Sequence, residues 1–244
     1  MDTIRTHNAF ETVWDRRDRS VPGIVEVRSL MVHGMVLLLI SSVLILAMLT
    51  PLEPIDLVYF ELSSALNVAP EVLLMVSDIL LLLAGFLIAA SLRTVLYAGR
   101  RLSNKLENAT SFLGRVNRVV NRKGLPSLTI AAAIIVFWYI PSVLNAALLQ
   151  YDLHWVMHVS FFFAGVLVYV GFTRLTLGMR FFWVILGCKA MEIFGAYMLV
   201  SPIAIYGTYP HPEQLEAGTA MIAMCLASDS ATIPLWVRRY FSKN

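Results

Sequence analysis

Charge is what this chain has least of. Only 14% of its 244 residues are charged, where a soluble domain carries about a quarter. Hydrophobic residues make up 58%, so a charge-coated soluble domain is excluded. Cysteine is scarce as well: Cys188 and Cys225 are the only two, both inside apolar runs. Counted from the expected helix ends, they differ in depth by about 8 Å at 1.5 Å per residue. That offset argues against a disulfide. The first 29 residues lack the apolar stretch of a cleavable signal peptide. Glycine-rich phosphate loops, nucleophile elbows and H-E-x-x-H motifs are missing, so the chain is expected not to be an enzyme. The alternating pattern of a membrane β-barrel is missing too. The basic segments lack interleaved aromatics, so no nucleic-acid partner is expected.

What the chain does have is six apolar stretches: 30–49, 72–92, 125–147, 153–172, 181–200 and 215–237. Each is close to the ~20 residues that cross about 30 Å of hydrocarbon as helix. The expected fold class is an all-α integral membrane protein with six transmembrane helices over 30–237. Its 19 Lys and Arg residues are sharply partitioned. Five lie in the segment 1–29, eight in the loop 93–124 and three in the tail 238–244, while Arg174 and Arg180 bracket another connection. The other three connections have none, and only Lys189 breaks the pattern. Basic residues favour the cytoplasmic side, which places both termini there.

Two cytoplasmic appendages follow from this topology. In 1–29, Phe10, Val13 and Trp14 have helical spacing, followed by Arg16, Arg17 and Arg19, which predicts a short interfacial helix. In 93–124, Leu102, Leu106, Ala109, Leu113, Val116 and Val120 alternate in steps of four and three among basic residues. That is a basic amphipathic helix, lying on membrane lipids of the inner leaflet or docking a partner.

A weak internal repeat runs through the second and fourth stretches. Aligned on Ala84-Gly85 and Ala164-Gly165, Asp78 falls opposite His158 and Leu74 opposite His154. Both helices run from outside to inside, so they read as parallel repeats about an axis along the membrane normal.

Ionisable groups within membrane spans point to function by default. His154 and His158 have i, i+4 spacing, which puts both imidazoles on one helix face. The topology places them at the outer membrane face, near Asp78, Glu213 and Met221, with His211 in the adjoining loop. Two imidazoles and a carboxylate at one depth can bind a borderline metal, and Met221 adds a soft thioether suited to Cu(I). Met157, one residue before His158, is expected to point away. The alternatives are a hydrogen-bonded His–Asp brace between helices, proton transfer, or quinone contact. Deeper in, Lys189, Glu192 and Asp229 are expected to form an intramembrane ion pair with a third member. His33 lies at the inner end of its helix, on the wrong side to join the outer group. Pro141 marks a kink or end in the third helix, and Pro202 ends the fifth.

The segment from Ile140-Pro141-Ser142-Val143-Leu144-Asn145 into Leu153-His154-Trp155-Val156-Met157-His158 and on to Ala164-Gly165 resembles the CtaG family. So does Pro212-Glu213-Gln214-Leu215-Glu216-Ala217-Gly218-Thr219-Ala220-Met221. These are cytochrome c oxidase assembly factors of prokaryotic plasma membranes, implicated in copper delivery or copper-centre formation. The resemblance implies a multi-pass membrane protein that binds copper at its outer face, with an oxidase complex as partner. His154, His158 and Asp78 would be the metal residues, with Glu213, Gln214, Met221 and His211 secondary. The chain departs from the family pattern in two places. The family's second H-x-x-x-H is Leu74-x-x-x-Asp78 here, and Glu213 stands for an aspartate, as in a divergent, for instance archaeal, member. Two other functions stay open. One is an accessory structural subunit of a membrane complex without metal of its own; the other is a small-solute or proton transporter using the inner cluster.

Overall fold

The computed structural model describes residues 32–42, 65, 70–99 and 121–241. Among them are seven helices: α1 Val32–Ser42, α2 Pro70–Gly99, α3 Leu125–Trp138, α4 Pro141–Leu149, α5 Tyr151–Phe172, α6 Leu177–Val200 and α7 His211–Phe241. A single 3-10 turn, Arg122–Gly124, precedes α3. Four helices, α2, α5, α6 and α7, are long and apolar enough to cross a bilayer. The bent pair α3 and α4 makes a fifth. Six spans were expected; the first falls partly outside the described residues, and α1 covers its start. The interfacial helix expected in 1–29 and most of the basic amphipathic loop also lie outside them.

The third span breaks at Pro141, where the sequence predicts a kink or an end. It is not one helix but two, bent by 69°. Pro141 has no N–H to give and its ring excludes the preceding turn, so Ile140 is extended at φ −65° and ψ 125°. Other ends shift as well. α2 continues to Gly99, so Arg93 belongs to a helix and not to the loop. α7 continues through Arg238, so helix extends into the segment read as the tail. α6 stops at Val200, just before Pro202, and starts under a Thr176 side-chain cap on the Met179 N–H at 3.4 Å. Serine and threonine hydroxyls inside the spans donate to carbonyls one turn back, as Ser91 does to Leu87 at 2.7 Å, which keeps them satisfied without water.

α5 is the hub. It packs most extensively on α2 and also touches α3 and α4, while α6 pairs with α7 and α7 returns to α2. The α2–α5 crossing sits on the repeated Ala-Gly. A methyl group on Gly85 would overlap the Phe162 carbonyl, and one on Gly165 would overlap the Leu82 carbonyl. The contact is reciprocal, as two equivalent parallel helices require. Asp78 meets His158 on one side of it and Phe86 meets Tyr169 on the other, so the helices run in the same direction. α1 lies against the far end of α2, where Gly34 faces Val95, Ser91 and Thr94. His33 is therefore remote from Asp78.

Candidate functional site

The N-terminal halves of α2, α5 and α7 converge on a buried polar group. Asp78 and His154 are each 2% exposed, and Gln214 is 1% exposed. The His154 and His158 rings approach edge to face with centroids 4.3 Å apart, as i, i+4 spacing dictates. His158 Nε2 lies 4.0 Å from Asp78 Oδ1. That is too long for a hydrogen bond. Neither atom has a hydrogen-bond partner among the described residues. Buried polar atoms in native proteins are nearly always satisfied by protein, water or an ion, so this pair calls for an explanation.

Asp78 also borders a cavity of about 30 Å³. Its other walls are Leu74, Met75, Tyr139, Leu144, Met198, Tyr206, Tyr209, Ala217 and Met221. The space suits one water-sized guest. Three thioethers line it beside one carboxylate, an unusual share of soft donors. Met157, expected to point away from the histidine face, is fully buried in the same core. The helix buries a broad stripe that includes residues 154, 157, 158 and 161, and a one-residue offset is not enough to leave it.

Residues 201–210 close one end of the cavity. Gln214 holds them with four hydrogen bonds. Its Oε1 accepts from the Ile205 and Tyr206 N–H groups at 2.7 and 3.3 Å, and its Nε2 donates to the Tyr206 and Tyr209 carbonyls at 2.7 and 3.0 Å. The Tyr206 hydroxyl donates to the Tyr139 carbonyl at the α3–α4 break, 3.0 Å away. Burial pushes the Tyr206 phenol well above its ordinary pKa, which keeps it protonated as a donor. Thr208 bonds Asn145 of α4 at 3.0 Å, and His211 Nε2 sits 2.9 Å from the Ser201 carbonyl. Gln214 and His211 are thus engaged with the loop backbone rather than turned to the histidines.

The other named residues separate into groups. Met221 lines the cavity, while Glu213 is half-buried in the first turn of α7. Among the described residues, no three His, Cys, Asp or Glu side chains converge closely enough to hold a metal. Farther along α6 and α7 the structure brings Lys189, Glu192 and Asp229 together. Lys189 Nζ is 2.7 Å from Asp229 Oδ2 and 2.9 Å from both Glu192 oxygens.

Cys188 and Cys225 are both free, with Cys188 Sγ 3.7 Å from the Ser228 hydroxyl. Their expected difference in depth does not hold, for the two side chains interact. α6 and α7 are antiparallel, and the close approach of Gly195 and Gly218 sets a register that levels the cysteines.

The sequence reading missed Met75, Met198, Tyr139 and Tyr206. Met75 had a signal, since it lies at i−3 from Asp78 and so on the same face. Met198 had none, because its position depends on how α6 docks.

Comparison with curated proteins and with solved structures gives no match. A family model does match, over residues 23–237, and it is that of the cytochrome c oxidase caa3 assembly factor, Caa3_CtaG. It covers every helix just described except the last turn of α7. The chain belongs to the Caa3_CtaG family, which indicates an assembly factor for cytochrome c oxidase.

Proposed function

We propose that this protein binds copper in its outer chamber and hands it on while a cytochrome c oxidase is assembled in the prokaryotic plasma membrane. One observation carries the reading: in the buried His158–Asp78 pair the facing atoms, Nε2 and Oδ1, lie 4.0 Å apart and have no hydrogen-bond partner among the described residues. A brace between helices would close to about 3 Å. The separation favours a pair that takes something between its members.

The donor set fits copper. Imidazole and thioether are the ligands that hold Cu(I) in proteins. His158 and Asp78 would hold the ion, with thioethers from Met75, Met198 or Met221 in place of the histidine that position 74 lacks. His154 supports the His158 ring from one turn away. Glu213 and Gln214 stand outside the ligand set, Gln214 because its amide is fully engaged. Copper is cargo in this reading, held in a dry site until a partner takes it. The competing role, an accessory subunit without metal, predicts stable co-purification with the oxidase and no copper in this chain.

The test is oxidase maturation. Cells whose own gene for this protein is deleted are given the wild type or the His154→Ala/His158→Ala variant, and their oxidase is purified. The expected result is an oxidase with its haem but depleted in copper when the variant is used. Equal copper in both preparations would end the proposal.

A further inference from the structure

The ion cluster of α6 and α7 lies in the wrong place for a purely internal brace. Lys189 is nine residues past Arg180, about 13 Å into the span at 1.5 Å per residue. Asp229 is nine residues before Arg238, at the same depth. Yet the Lys189 side chain is 46% exposed and that of Glu192 21% exposed. Only 11% of the α6 span is buried within the protein, against 39% for α2. At this depth exposure means contact with lipid, where charge is costly. Lys189 is also committed to both carboxylates, so it does not reach for the membrane surface.

With all three groups ionised the cluster carries one excess negative charge. One cation faces two carboxylates, and no other cation among the described residues pairs with them. Asp229 is 7% exposed, and its Oδ1 has no hydrogen-bond partner among the described residues. A net negative charge half open to hydrocarbon needs a positive counterpart from outside. Small residues flank it: a methyl group on Gly187 would meet nothing within 4 Å, and Ala190 is exposed. They leave room for another helix backbone to approach.

We propose that this face docks a transmembrane helix of a partner protein that presents one basic side chain to Lys189, Glu192 and Asp229. Charge decides against a second copy of this chain, because each copy brings the same excess negative charge. The inference is independent of copper. It concerns a separate cluster of side chains on α6 and α7, and its failure leaves the chamber untouched.

The test uses the full chain in vesicles with synthetic single-span peptides of about 20 Leu and Ala residues. One peptide has a central arginine, one a leucine and one a glutamate. Energy transfer from labelled protein reports binding. The arginine peptide should bind about tenfold more tightly than the leucine peptide, the order of a polar contact between membrane helices, and the glutamate peptide least. Glu192→Gln keeps the Lys189–Asp229 pair, cancels the net charge and should abolish the preference. Asp229→Asn does the same through the Lys189–Glu192 pair and serves if the first variant folds poorly. Equal binding of the arginine and leucine peptides would overturn the proposal, as a cluster neutralised by a bound proton would give. So would an arginine preference that survives both variants. Self-association of the wild type through this face, tighter than the arginine peptide, would overturn it as well.

Discussion

Replacing Gln214 by leucine tests how the chamber is closed. The two side chains are similar in size, so packing changes little while four hydrogen bonds to residues 205, 206 and 209 are lost. At about 1 kcal/mol net for each bond, the loss is about 4 kcal/mol. A leucine buried in its place returns about 1–2 kcal/mol, leaving a cost of about 2–3 kcal/mol. The cost is local. Tyr206 is 3% exposed, so its N–H has little access to water once the amide is gone. The loop therefore opens more easily than the helices separate. Hydrogen exchange in detergent is the assay. At about 1.4 kcal/mol per factor of ten, amide exchange at Ile205 and Tyr206 should accelerate about a hundredfold. Exchange around Gly85 and Gly165 should stay at its wild-type rate. Unchanged exchange at 205 and 206 would refute the assignment of Gln214 as the loop anchor.

Other substitutions probe the rest of the fold. Gly165→Val drives the new Cβ into the Leu82 carbonyl, which is backbone and cannot step aside, and adds two methyl groups beside it, so the cost should exceed about 3 kcal/mol and folded, monodisperse yield should collapse. Gly187→Ala, where nothing lies within 4 Å, is the control and should gain about 0.5–1 kcal/mol in thermal unfolding through helix propensity. Tyr206→Phe removes the single bond to the Tyr139 carbonyl and should cost about 1 kcal/mol in the same assay. Lys189→Met strips two carboxylates of their shared cation, so its melting temperature should fall well below that of Glu192→Gln; the reverse order would contradict the ion triad.

Much of the architecture was legible because membrane spans announce themselves by length. The α2–α5 crossing could be read from Ala84-Gly85 and Ala164-Gly165, since only glycine permits carbonyl and backbone to come so close. Its register then carries Asp78 to His158 without further information. Prolines 141 and 202 marked their ends for the same local reason, a missing N–H and a restricted preceding residue. The size of the 69° bend was not legible, because it depends on how α4 packs on α5 and the 201–210 loop. The levels of Cys188 and Cys225 were misjudged because helix ends were used where the Gly195–Gly218 contact sets the register. Gln214 was grouped with the metal residues through the family resemblance; its partners are backbone groups, to which a sequence pattern is blind. The thioether lining escaped notice because Met75 and Met198 read as ordinary apolar residues.

The account turns on whether His158, Asp78 and the cavity beside Asp78 bind copper. Competition of the purified, full-length protein against a Cu(I) chelator, with copper per chain measured alongside, asks this directly. The account predicts near-unit copper in the wild type, retained in Glu192→Gln and lost in His154→Ala/His158→Ala. Equal copper in the wild type and the double variant, or none in either, would contradict it.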